Sequence, residues 1–145
     1  MKFVKKLYED FSEKERQLVK KILWEGINLS ELEFIPHTKE RMCHKGVSVS
    51  DIYNVFKGGY DIIELHQKED KYRDVRVLLR GKKADKRGYN TCISLSLITG
   101  KVITVYKNML TDNHKTLDED NYKDVNVVGL LNKIHKNKLN KCLTS

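Results

Sequence analysis

Residues 75–106 read VRVLLRGKKADKRGYNTCISLSLITGKVITVY, and apolar side chains recur there at every second position. Val75, Val77 and Leu79 alternate with Arg76, Leu78 and Arg80, and Ile93, Leu95 and Leu97 alternate with Cys92, Ser94 and Ser96. A period of two belongs to strands that bury one face. The polar run Gly81 to Gly88 reads as a loop, and Thr99-Gly100 reads as a tight turn into a last strand, Val102 to Tyr106. Just upstream, from Tyr60, Asp61, Ile63 and Leu65 alternate with Ile62, Glu64 and His66. The spacing predicts a four-stranded antiparallel meander.

Towards the N-terminus the period lengthens to that of a helix. Ser12 with Glu15 forms a capping-box signature, and Leu18, Val19, Ile22 and Leu23 follow at helical spacing, which predicts a helix over 13–25. Gly26 to Phe34 reads as a connection. Pro36 opens a second helix, His37 to Lys45, that Gly46 stops. Ser48 with Asp51 starts a third, with Ile52, Val55 and Phe56 on its apolar face and Gly58-Gly59 at its end. Beyond the strands, Thr116 with Glu119 resembles another capping box, and Val127, Leu130, Leu131 and Ile134 predict a closing helix. The expected fold class is α+β: N-terminal helices, a four-stranded antiparallel sheet and a C-terminal helix. One domain is expected from 145 residues, organised as a helical extension (1–35), an α+β core (36–108) and a C-terminal helical segment (109–145).

Composition narrows the class. Hydrophobic residues make up 39% of the chain, enough for a modest core, and no apolar run has the length of a membrane span or of a signal-peptide core. A soluble, cytoplasmic protein without membrane attachment is expected. The 3 cysteines, Cys43, Cys92 and Cys142, are odd in number and lack the spacing of a zinc site, so reduced thiols are expected.

The net charge of +8 is unevenly spread. Residues 1–35 hold 7 basic and 7 acidic side chains, 36–108 hold 15 and 8, and 109–145 hold 6 and 5. The excess therefore sits on the central segment, as it does on surfaces that meet a polyanion, although basic charge also serves solubility. Of 6 Arg beside 22 Lys, five (Arg41, Arg73, Arg76, Arg80 and Arg87) lie in that segment. A guanidinium offers a planar fork that matches phosphate, which a lysine does not.

If the apolar members of each strand pack on the helices, the opposite face carries Glu64, His66, Arg76, Arg80, Ser94, Ser96, Thr104 and Tyr106. Such a face can simply be solvated. Its chemistry also suits cleavage of an RNA phosphodiester without a metal: a base for the 2′-hydroxyl, an acid for the departing 5′-oxygen, and fixed positive charge for the phosphate. His37, in the first turn of the helix opened by Pro36, lies where helix N–H groups favour a bound anion; the alternative is that it only caps or packs there. No carboxylate or histidine cluster offers a metal site, and no cofactor is expected.

Four segments carry a resemblance to a known family: HTKERM (37–42), GVSVSDI (46–52), RVLLR (76–80) and VITVY (102–106). Their order resembles the family called domain of unknown function 4258, over about residues 36–108. That family is similar to the barnase, EndoU, colicin and RelE group of metal-independent ribonucleases, which includes toxins of toxin-antitoxin and contact-inhibition systems. The resemblance implies a RelE/barnase-like fold with His37, Arg41, Arg80, Thr104 and Tyr106 around one cleft. Two features depart from the pattern: the additional His66, and a longer, more basic loop from Lys82 to Arg87.

The expectation is a metal-independent endoribonuclease of toxin or mobile-element type. His37 would transfer a proton, Arg76 and Arg80 would hold phosphate, Tyr106 would act as acid or stack on a base, Thr104 would donate to phosphate, and Arg41 would belong to the same catalytic set. Lys39, His66, Lys82, Lys83, Lys86, Arg87 and Lys107 would guide the RNA, and an antitoxin or immunity protein would be a further partner. The alternative from another class is a non-catalytic module that binds nucleic acid or protein, such as a phage-encoded inhibitor. That module would need the basic charge but no placed His or Tyr.

Overall fold

A computed structural model describes residues 4–26, 32–67, 74–109 and 125–144. Arg73 and the Thr116/Glu119 signature lie outside the described residues. In chain order the elements are β1 (Val4–Leu7), a short 3-10 turn (Tyr8–Asp10), α1 (Glu13–Gly26), α2 (Pro36–Lys45), α3 (Val49–Gly58), β2 (Tyr60–Gln67), β3 (Val75–Ala84), β4 (Tyr89–Ser96), β5 (Val102–Met109) and α4 (Val128–Thr144). The fold is α+β, with one antiparallel sheet in the order β1-β2-β3-β4-β5.

The predicted helix starts form as their signatures require. In α1 the Glu15 N–H donates to Ser12 Oγ at 3.2 Å while the Ser12 N–H donates to the Glu15 carboxylate at 2.7 Å. Ser48 and Asp51 make the same reciprocal pair before α3. Pro36 opens α2, and Gly46 closes it at φ 69°, a conformation that favours glycine. The turn into β5 is held by Ser96, whose Oγ accepts from the N–H groups of Ile98 and Thr99.

The expected count of four strands is corrected to five among the described residues. The additional strand, β1, reads VKKL and lacks the apolar alternation that marks the others. Lys6 stands opposite Leu65, and its side chain is buried. Its ammonium donates to both Glu15 oxygens at 3.0 Å and to the Val125 carbonyl at 2.6 Å. A buried ion pair thus occupies a position where the binary pattern expects an apolar residue.

The expected loop from Gly81 to Gly88 is also corrected. β3 runs on to Ala84 past a bulge, and the reversal is confined to the next four residues. There Asp85 accepts from the N–H groups of Arg87 and Tyr89 at 2.9 and 3.0 Å. Two further bulges move Ile63 and Ile103 out of the strict alternation, so that Ile62 and Val102 take the core positions.

All four helices contribute to packing against the sheet or one another, and one buried cluster runs through the molecule. It joins Leu18, Val19, Ile22 and Leu23 of α1, Met42 of α2, and Ile52 and Val55 of α3 to Leu65, Val77, Leu79, Ile93, Leu95 and Val105 of the sheet. Leu131 and Ile134 of α4 belong to the same cluster. Each such side chain withdrawn from water contributes about 1.5–3 kcal/mol before entropy is subtracted. The Val127 N–H donates to Glu15 at 2.8 Å, so the segment leading into α4 is tied to α1 by a charge-assisted bond as well.

Candidate functional site

The helices take one face of the sheet, and strand register defines what stands on the other. Three rows of side chains cross it. The first runs Lys5, His66, Arg76, Ser96; the second Leu7, Glu64, Leu78, Ser94, Thr104; the third Asp61, Arg80, Cys92, Tyr106. Antiparallel neighbours have Cα atoms about 4.5–5.5 Å apart, so Arg80 and Tyr106 stand about 10 Å apart at Cα with the small Cys92 between them.

Polar contacts orient several members of the face. The Arg80 guanidinium donates to Asn90 Oδ1 at 3.4 Å, and buried Asn90 in turn donates to the Gly81 carbonyl at 2.6 Å. Arg76 is held by Asp74 through two bonds of 2.6 and 3.2 Å, which fixes its plane but engages part of its fork. Glu64 is buried in the middle row and ion-paired with Lys5 at 3.6 Å. Glu64 stands on the face that the alternation predicts for it, whereas Asn90 and Cys92 are members that the sequence analysis leaves out. Their signal was the same alternation that marked Arg76 and Arg80.

His37 and Arg41 come from α2, which lies along β5. The Thr38 hydroxyl, buried, donates to the Ile103 carbonyl at 2.6 Å, and Phe34 bridges to Val102 in parallel. These contacts set the α2 N-terminus beside the strand that carries Thr104 and Tyr106. Both His37 and Arg41 are exposed, and among the described residues neither side chain makes a hydrogen bond or an ion pair. Lys39 lies over the Phe34 ring at 5.6 Å.

The basic residues of the β3-β4 hairpin divide. Lys82, Lys83, Lys86 and Arg87 are exposed, with Lys82 3.8 Å from Asp61. Lys107 instead belongs to the helix-covered face, because it pairs with Thr91, two residues along from the core pair of Ile93 and Val105. Its ammonium donates to Thr91 Oγ1 at 3.0 Å and lies 3.2 Å from Asp85 and 3.5 Å from Asp51. A cavity of about 430 Å³ opens beside this cluster, between α3 and the hairpin.

Charge and burial set the proton affinities there. Burial alone would raise the Asp51 carboxyl, but the Ser48 N–H and the Lys107 ammonium hold it below its ordinary value. Asp85 is held low mainly by the Tyr89 N–H, with the Arg87 N–H and Lys107 adding to it. Tyr60 is pushed up by burial and by the neighbouring Tyr8. Among the described residues no group of three or more His, Cys, Asp or Glu side chains converges as metal ligands would, and no helix is long and apolar enough to cross a membrane. Cys43 and Cys92 are free thiols.

A family model described as Domain of unknown function (DUF4258) matches residues 34–107, just over half of the chain. The chain belongs to this family. The matched stretch begins at Phe34, whose bridge to Val102 anchors the approach to α2, and it takes in α2, α3 and β2 to β4 whole, with nearly all of β5. β1, α1 and α4 lie outside it, and these flanks are joined to each other through Lys6, Glu15 and Val127. No curated protein and no solved structure matches the chain.

Proposed function

We propose that this protein is a cytoplasmic, metal-independent endoribonuclease of toxin or mobile-element type, with a RelE/barnase-like arrangement of its central segment. The observation that carries the reading is the row Asp61, Arg80, Cys92, Tyr106 beside the row that ends at Thr104, on the sheet face opposite the helices. A fixed guanidinium, a phenol and a hydroxyl share one surface there. The imidazole of His37 stands on the helix that docks along the same strand.

In this reaction a base takes the proton of the RNA 2′-hydroxyl, and the 2′-oxygen forms a bond to the adjacent phosphorus. The bond from phosphorus to the 5′-oxygen breaks, and an acid returns a proton to that oxygen. The products are a 2′,3′-cyclic phosphate and a 5′-hydroxyl. His37 serves as the base and Tyr106 as the acid. Arg80 and Thr104 donate to the phosphoryl oxygens as negative charge builds, and Arg41 and Arg76 add positive charge around them. Lys39, His66, Lys82, Lys83, Lys86 and Arg87 guide the strand, and a neutralising antitoxin or immunity protein would cover the same face. Lys107 has no part in this path, since two aspartates already engage it.

A ribonuclease assay in EDTA tests the proposal. Wild type should release 2′,3′-cyclic ends, and Tyr106→Phe should lower the rate by about 10²–10⁴, the contribution of a placed proton donor. Equal rates for wild type, Tyr106→Phe and His37→Ala would remove catalysis by these groups.

A second reading is favoured by the state of the polar groups. Arg76 is committed to Asp74, Glu64 to Lys5, and His37 is unengaged among the described residues. A surface that only binds needs no more than this. In that case charge reversal at Lys82 and Lys83 abolishes function while the His37 and Tyr106 substitutions leave it intact.

A further inference from the structure

Trp24 is 89% exposed, the most exposed large apolar side chain among the described residues, and the chain contains no other tryptophan. The apolar stripe of α1 does not explain it, because Leu18, Val19, Ile22 and Leu23 turn inward and leave Trp24 on the flank. It shares that flank with Lys20, one helical turn earlier. Together they form one wall of a groove of about 490 Å³ whose other lining includes Tyr8, Tyr60, Asp61 and Lys82. Tyr8 also has a buried hydroxyl with no hydrogen-bond partner among the described residues.

We infer that this groove is a subsite for an unpaired nucleotide of single-stranded RNA, its base stacked on Trp24 and its phosphates met by Lys20 and Lys82. This rests on the proposed RNA-directed function and extends it to a groove shared between the family-matched segment, which supplies Tyr60, Asp61 and Lys82, and the preceding one, which supplies Tyr8, Lys20 and Trp24. Aromatic rings set beside lysines are a means by which proteins hold single strands without reading sequence; here the exposed ring is that of Trp24, while Tyr8 and Tyr60 are half-buried against the core. One wall residue, Asp61, belongs to the row of the open face: it stands opposite Arg80 in the strand register and lies 3.8 Å from Lys82.

Two features favour RNA over an acidic protein segment. The groove is concave and holds three aromatic rings, which suits a flat base. The Asp61 carboxylate can accept from the amino group of a base, a donor that an ionised acidic side chain lacks. An acidic partner remains the competing outcome to be tested.

The emission of Trp24 reports the groove alone. The full chain is titrated with a 2′-O-methyl single strand about ten nucleotides long, which resists cleavage, with the matching duplex, and with polyglutamate. The single strand should quench Trp24 emission. Trp24→Ala should weaken single-strand affinity, read by anisotropy of a labelled strand, at least about fivefold, and Trp24→Phe should restore most of it. Duplex affinity should change little, and the circular dichroism of both variants should match wild type.

Single-strand binding with unchanged emission and equal affinity for Trp24→Ala would overturn the subsite and leave the nuclease proposal standing. A response to polyglutamate in place of RNA would reassign the groove to a protein partner. Failure of every RNA probe to bind would overturn both. Quenching by the single strand without cleavage of its 2′-hydroxyl counterpart would uphold the subsite and remove the nuclease.

Discussion

Lys6 and Glu15 decide more than their number suggests. Their side chains are 3% and 2% exposed, and the carboxylate accepts from Lys6, Ser12 and Val127 together. Burial works to raise the Glu15 carboxyl, but the Ser12 and Val127 N–H groups and the Lys6 ammonium outweigh it and hold the pKa below the ordinary value. A carboxyl depressed in the folded state stabilises fully above its unfolded pKa of about 4.3, and that contribution is lost as pH falls through the folded value. Glu15→Gln should therefore cost about 3–5 kcal/mol near neutral pH, because Lys6 is left buried without its counter-charge. Denaturant melts at descending pH should show wild type losing stability below about pH 4.3 and the variant losing less over the same interval. Equal acid sensitivity in the two would contradict the role given to Glu15.

Elements place the site, and α2 is the one that matters most. Its register on β5 depends on the Thr38 hydroxyl, on a buried side chain, reaching the Ile103 carbonyl. Thr38→Val keeps the shape and removes the donor, so a thermal melt should show a loss of about 1–3 kcal/mol. If His37 works from this helix, cleavage should fall by more than stability does, since a shift of about 1 Å in a reacting group can cost 10²-fold. How legible the elements were follows the same physics. β2 to β5 announce themselves by alternation, and α1 and α3 by capping boxes, because local geometry dictates those residues. β1 was hidden by Lys6, a charge whose burial only tertiary partners explain. The bulges at Ile63 and Ile103 and the extension of β3 into Lys82 and Lys83 were hidden as well, since a bulge breaks the period that reveals a strand. The open face could be read from the alternation, but the distance from His37 to that face could not, because it depends on how a helix docks at an edge. Charge alone suggests an RNA contact for Lys107, whereas its register with Thr91 sets it beside Asp51 and Asp85.

At the scale of the molecule, charge and fold point the same way. The flanks, nearly neutral, complete the core through α1 and α4, while the excess positive charge lies on the segment that supplies β2 to β5. RNA affinity should therefore fall steeply with salt, with a slope near −0.7 for each phosphate neutralised on a single strand. Reversing both Lys82 and Lys83 to Glu should flatten that slope by about one to two such contacts. A slope unchanged by the double reversal would move the RNA path off the hairpin. The most direct test of the central claim is the rate of cleavage of a single-stranded RNA in EDTA by wild type, Arg80→Ala and Tyr106→Phe, with product ends identified. The sheet-face site predicts 2′,3′-cyclic phosphate from wild type and a loss of at least about 10²-fold in each variant, with RNA binding retained by Tyr106→Phe. No cleavage by wild type, or cleavage indifferent to both substitutions, would contradict it.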